Sequence, residues 1–315
     1  MKVFRFMQQL GLLFLLGTGM IACEKDDADD TMPPSGIEYH QTAKTKFIDA
    51  GGIRFAYREF GDTTGIPVLM LSPLAGSMDD WDPAITNGLA QHYKVILFDL
   101  PGAGSTNGTS PTSIADMAKA SVSFIKALRL QKVNLLGFSM GSFITQQIAL
   151  TEPGLVNKII LTGTGPKGAV GLSYLPNLLA ASANLSPQES FLKFGFTGSA
   201  ASINAGKLAY ERVQIRKVDR DAPVSQESAG AQVQAVLGWA QPAPDALNEL
   251  KSIVQPVLIA QGKEDVPVPV ENAVNMAAYI PNARLVIYPD AAHAALFQYA
   301  DSFVKEAISF LAEQE

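Results

Sequence analysis

The chain of 315 residues has a single cysteine, Cys23, and only three histidines, His40, His92 and His293. One cysteine excludes an internal disulfide framework and a cysteine-ligated metal cluster. Because Cys23 precedes the folding region, it also excludes a thiolate nucleophile within the fold. Positive charge is scarce too. There are 24 Lys and Arg against 30 Asp and Glu, a formal net charge of −6, and no basic cluster. That balance argues against a nucleic-acid partner. Past the first two dozen residues no run is long and apolar enough to span a bilayer. No internal repeat stands out.

What is present begins with a leader. Lys2 and Arg5 make a basic start, and Leu10 to Ile21 is an apolar run too short to cross a membrane comfortably. Lys2 and Arg5 leave with such a leader, which takes the formal charge from −6 to −8. The run closes in Met20-Ile21-Ala22-Cys23. That ending resembles a bacterial lipobox, which implies cleavage after residue 22 and lipidation of Cys23, hence a membrane anchor. Residues 23–36 are acidic, then Pro- and Ser-containing, and read as a solvated tether. Cys23-Glu24-Lys25-Asp26-Asp27 also resembles the export signals of Bacteroidetes-type lipoproteins. That resemblance implies a place in the cell envelope, at the outer membrane and its exposed surface.

Residues 37–315 are enough for one large α/β domain. Lys46–Ile48 and Ile53–Tyr57 read as a hairpin around Gly51-Gly52. Val68–Leu71, Val95–Phe98, Val133–Leu136, Ile159–Leu161, Val257–Ala260 and Leu285–Ile287 read as buried strands. Helical segments at 83–91, 113–128, 142–150 and 270–279 separate most of them. The pattern predicts a mostly parallel eight-stranded sheet with helices on both faces. One interval, about 166–250, has no strand signal. Helices are predicted there at 187–194, 200–217 and 225–239, so it reads as an insertion that caps the sheet.

Gly137-Phe138-Ser139-Met140-Gly141 spells G-x-S-x-G between a strand and a helix. Glycines flanking a serine permit a turn too tight for a Cβ and lift the hydroxyl above the sheet edge. A serine needs a base to take its proton and a third group to orient that base. His293 follows the last strand, so it shares the carboxyl edge with Ser139. His40 and His92 read as surface or packing residues. The acid belongs on the loop after the Val257 strand, Gly262-Lys263-Glu264-Asp265. Asp265 is the choice there, with Glu264 and Asp290 as competitors. An oxyanion needs two backbone donors. Met140, directly after the nucleophile, supplies one. The loop Ser72-Pro73-Leu74-Ala75-Gly76-Ser77 is the source of the other.

The order Ser139, Asp265, His293 is that of the α/β-hydrolase layout. Further pieces agree: Leu71-Ser72-Pro73-Leu74 with Trp81-Asp82-Pro83, Phe98 to Ser105, and Asp290-Ala291-Ala292-His293. From about Ile53 to Phe310 the chain resembles the α/β-hydrolase superfamily, close to its non-haem haloperoxidase, esterase and lactonase branch. The resemblance implies a Ser139–His293–Asp265 triad, Leu74 as the second oxyanion donor, and no metal or organic cofactor. It implies a small-molecule ester or lactone as substrate, and leaves the oligomeric state unspecified. One departure is Ser72-Pro73 where the family often has His-Gly; proline offers no N–H, but the donor at Leu74 remains. Peroxide replacing water on the same triad is a second reading. A catalytically silent binding lipoprotein is a third.

Overall fold

The computed structural model describes residues 38–61 and 64–314. The expected leader, Cys23 and tether lie outside the described residues. Eight strands form one sheet: β1 (Lys46–Ala50), β2 (Ile53–Phe60), β3 (Val68–Leu71), β4 (Val95–Phe98), β5 (Val133–Phe138), β6 (Val156–Thr162), β7 (Val257–Gly262) and β8 (Ala283–Tyr288). Across the sheet they run β1-β2-β4-β3-β5-β6-β7-β8. β1 and β2 pair antiparallel, as do β2 and β4; every other pair is parallel. The eight-stranded, mostly parallel expectation is met.

Period-two alternation divides the core. In β3, Leu69 and Leu71 join one apolar cluster while Val68 and Met70 join the other; β7 does the same with Val257 and Ile259 against Leu258 and Ala260. Each fully buried aliphatic side chain contributes about 1.5–3 kcal/mol. These strands are buried on both faces because helices cover both. A single turn, α1 (Tyr39–Thr42), opens the described chain, and α2 (Pro83–Ala90) follows β3. α3 (Ile114–Ala127) and α4 (Met140–Thr151) flank β5. α3 and α4 cover one face, the face of Leu69 and Leu71.

Residues 163–256, between β6 and β7, contain no strand. Helices α5 (Leu175–Ala180), α6 (Pro187–Gly195), α7 (Ala200–Val213), α8 (Gln226–Trp239) and α9 (Ala246–Glu249) fill the interval with two 3-10 turns. Three of these start on a serine cap. Ser186, Ser199 and Ser225 accept the N–H of Glu189, Ser202 and Ser228. Each such cap is worth about 1 kcal/mol. α7 stops four residues before the expected Lys217. The buried Arg216 guanidinium instead donates to the carbonyls of His40, Gln41 and Ala43.

After β7 come α10 (Val270–Tyr279), then α11 (Ala295–Gln298) and α12 (Ala300–Ala312) beyond β8. α12 has no counterpart in the sequence reading. It buries Phe303, Val304, Ala307, Phe310 and Leu311, one stripe of a helix, and packs beside α2 on the second sheet face. Among the described residues no helix is long and apolar enough to cross a membrane.

Candidate active site

Ser139 sits between β5 and α4 with φ +54° and ψ −119°. A non-glycine residue in that region costs on the order of 1–3 kcal/mol and needs its surroundings to hold it. The Ser139 N–H donates to Thr162 O at the end of β6 (2.9 Å), which ties the turn to the neighbouring strand. A Cβ at Gly141 would overlap the Leu71 carbonyl, and one at Gly137 would meet Gly141 O at 2.5 Å. Both glycines of the motif are therefore demanded by close approach. The turn is sharp enough that α4 begins at Met140, two residues before the expected start.

His293 and Asp265 come from the loops after β8 and β7. The Ser139 hydroxyl lies 2.8 Å from His293 Nε2, and His293 Nδ1 lies 2.8 Å from Asp265 Oδ2. Asp265 as a carboxylate only accepts, so Nδ1 carries the proton and Nε2 is free to accept from the serine. The Asp265 side chain is fully buried and that of His293 is 12% exposed. Asp265 is held at both oxygens. Val268 N–H donates to Oδ1 (2.8 Å) and Gln261 Nε2 donates to Oδ2 (2.7 Å). Gln261 also donates to Val268 O (2.8 Å) and accepts from Thr164 N–H (3.0 Å), so all three bonds fix its amide. Glu264 N–H donates to Ala291 O at 2.9 Å and joins the acid loop to the histidine loop.

The competing acids stand elsewhere. The Glu264 side chain is exposed. Asp290 accepts the hydroxyl protons of Thr197 and Ser199, both at 2.6 Å, and these bonds hold its carboxyl below the usual range. His40 is buried against Thr86 rather than on the surface, 3.0 Å from its hydroxyl. Lys167 pairs with Glu249 at 2.8 Å.

Met140 is the first residue of α4, so its N–H has no intrahelical acceptor and lies at the positive end of the helix. Leu74 lies in a turn closed by Gly76 N–H to Pro73 O (3.0 Å), and its own N–H has no acceptor among the described residues. Ser72 accepts the Trp81 indole N–H (3.2 Å), anchoring the start of that loop. Phe138 packs on the His293 ring with centroids 5.2 Å apart and meets Phe297 at 5.5 Å. Phe191 stacks on Phe297, and Phe196 meets Phe191 at a tilt, so the insertion extends this apolar wall. Phe194 is half-buried and takes no part in these ring contacts.

Sequence reasoning missed Gly163, Gln261 and Gln232. Gly163 directly follows β6 with φ +55°, and a Cβ there would stand 2.8 Å from His293 Cε1. Its signal was a Gly-Thr-Gly run after a strand. Gln261 was visible only as a polar residue closing an apolar strand. Gln232 gave no signal. Among the described residues no group of three His, Cys, Asp or Glu side chains is placed to hold a metal ion.

The fold and this edge together define an α/β-hydrolase. The family model for the alpha/beta hydrolase fold matches residues 66–299, and the chain belongs to that family. The protein is therefore a hydrolase built on this sheet. It is 30% identical over 238 residues to a pimeloyl-[acyl-carrier protein] methyl ester esterase of Nitrosospira multiformis, covering 70% of this chain and 86% of that one. It is 26% identical over 279 residues to a non-heme chloroperoxidase of Streptomyces lividans, covering 82% and 96%. Among solved structures, an alpha/beta hydrolase fold protein from Chitinophaga pinensis superposes with a TM-score of 0.85 at 37% identity, over 87% of this chain and 99% of that one.

Proposed function

We propose that the protein is a serine hydrolase of carboxylic esters or lactones that works through an acyl-enzyme. The observation that carries this is the unbroken relay from the Ser139 hydroxyl through His293 to Asp265, with 2.8 Å at each step. Ser139 Oγ attacks the carbonyl carbon while His293 Nε2 takes its proton. Asp265 holds the imidazole in the required tautomer and balances the imidazolium. The carbonyl oxygen becomes an oxyanion between the N–H groups of Met140 and Leu74. Losing one such donor costs about 10²–10³-fold in rate. The tetrahedral adduct collapses, and the leaving alkoxide takes the proton from His293. A water molecule then gives its proton to His293 and attacks the acyl carbon, releasing the acid and restoring Ser139.

The esterase from Nitrosospira supports the ester as the bond cleaved. The phenylalanines around His293 favour a largely apolar substrate, with the 166–250 insertion as a cap over it. The same reading includes a lipid anchor on Cys23 in the cell envelope. Palmitate labelling of the precursor tests that: it is expected in the wild type and absent in Cys23→Ser. The hydrolase reading is tested with p-nitrophenyl esters and lactones of graded size, assayed on wild type and Ser139→Ala. Turnover that vanishes with Ser139 supports it, and turnover that survives in the variant refutes it. Similarity to the Streptomyces chloroperoxidase makes hydrogen peroxide the co-substrate to add in the same assay.

A further inference from the structure

We propose that Gln232 is a substrate-recognition residue, and that the substrate carries a second hydrogen-bond acceptor close to its scissile carbonyl. This deepens the ester-hydrolase reading and rests on it. The inference begins with one face of α8. Ser228 Oγ donates to Gly102 O (2.7 Å) in the loop after β4. Gln232 Oε1 accepts from Ala75 N–H (2.6 Å) in the loop after β3. Trp239 Nε1 donates to Gly165 O (3.3 Å) in the loop after β6. Steps of four and seven residues put all three side chains on one stripe of the helix. α8 therefore lies across the carboxyl ends of β3, β4 and β6, the edge that carries Ser139.

Gln232 is only 1% exposed. Its amide orientation follows from its partner. Ala75 N–H is a donor, so the atom facing it is the oxygen; turning the amide over would set two donors together. That leaves Nε2, which is buried with no acceptor among the described residues. A buried amide nitrogen without a partner in the chain is disfavoured, so Nε2 calls for an acceptor from outside the chain. A ligand that brings an acceptor satisfies it.

The position adds weight. Ala75 is a non-glycine residue at φ +59°, a conformation that its bond to Gln232 helps to hold. Its neighbour Leu74 offers the free N–H assigned above to the oxyanion. One side of the Gln232 amide thus steadies the oxyanion loop, and the other is a donor beside it. The substrate class that fits is an ester or lactone with an ether, keto or amide oxygen within a few atoms of the reacting carbonyl. Plain alkanoyl esters leave Nε2 unpaired.

Two pairs of isosteric esters test this, one for each side of the scissile bond. p-Nitrophenyl methoxyacetate is compared with p-nitrophenyl butyrate, and 2-methoxyethyl butyrate with n-butyl butyrate. Each kcat/KM ratio is divided by the ratio for hydroxide, which removes intrinsic reactivity. The wild type is expected to favour the oxygen-bearing ester of at least one pair by on the order of ten-fold. Gln232→Met removes the donor, and Gln232→Glu keeps an acceptor for Ala75 while removing the donor. Both are expected to erase the preference. A uniform loss from a displaced loop or an added charge cancels in the ratio. The proposal is overturned if the corrected wild-type ratio is near one in both pairs, or if it persists in both variants. If the wild type hydrolyses none of the four esters and takes no fluorophosphonate label, the hydrolase reading itself fails, which is a separate result.

Discussion

Asp290 and Thr197 share a 2.6 Å hydrogen bond that joins the loop carrying His293 to the turn between α6 and α7. Ser199 binds the other Asp290 oxygen, and Ala294 N–H donates to Gly195 O at 2.9 Å. Asp290 adopts φ +46°, so the residue three before His293 is both strained and clasped. Its carboxylate is occupied with the insertion, and Asp265 is the one that reaches the imidazole.

This separates the three acids of that neighbourhood by experiment. Asp265→Asn is expected to lower kcat by on the order of 10³–10⁴-fold, because an amide favours the wrong imidazole tautomer. Asp290→Asn keeps one oxygen for Thr197 or Ser199 and is expected to act mildly, as is Glu264→Gln on the surface. kcat on one activated ester, with circular dichroism for folding, gives the comparison. A crippled Asp290→Asn beside a near-normal Asp265→Asn would reverse the assignment.

Gln261 tests the support behind the acid. Gln261→Leu removes a donor to Asp265 and leaves Thr164 N–H and Val268 O without a partner. Stability is expected to fall by about 1–3 kcal/mol, read as a shift in the urea midpoint. kcat is expected to fall on the order of ten-fold with KM little changed. An unchanged kcat in the folded variant would make Gln261 a packing residue only.

Gly163 tests the room given to the imidazole. Gly163→Ala sets a methyl against His293 Cε1 at a backbone angle that favours glycine. A displacement of about 1 Å at a reacting group costs on the order of 10²-fold. A loss of that size in kcat is expected, with the fold retained. Wild-type kcat would show that the ring tolerates the contact.

His40 tests a buried titration. Burial, with the nearby charges of Arg58, Arg216 and Arg220 adding to it, lowers the imidazole from 6.5 to about 3, against a smaller opposing effect of Asp79. The folded chain keeps it neutral where the unfolded chain binds a proton. Its contribution to stability is complete above about pH 6.5 and is lost as pH falls toward 3. Between those limits the slope approaches about 1.4 kcal/mol per pH unit. His40→Asn is expected to be less stable at pH 7 and to lose stability less steeply from pH 7 to 5 in urea titrations. Parallel curves for the two proteins would contradict this.

The strands were legible because β3, β4, β5 and β7 are buried along their whole length and almost entirely apolar, a signal carried by local sequence. Ser139, Asp265 and His293 were legible because chain order and strand ends place them on one edge before any coordinate is known. Gln232 was not, because its meaning depends on α8 crossing the loop at Ala75, 157 residues away in sequence. Nor was Gly163, since the ring it accommodates arrives from residue 293. The end of α7 was misplaced because Arg216 is drawn to the carbonyls of the first described turn, a tertiary effect. α12, absent from the sequence reading, carries its stripe of Phe303, Val304, Ala307, Phe310 and Leu311 at helical spacing.

The central claim is that Ser139 is a nucleophile activated by His293. The most direct measurement is fluorophosphonate labelling at neutral pH, with the modified residue located by mass spectrometry in wild type and in folded His293→Ala. Rapid stoichiometric labelling of Ser139 in the wild type, slowed by on the order of 10³-fold or more without His293, is the expected result. Labelling at another residue, or equal labelling of Ser139 in both proteins, would contradict it.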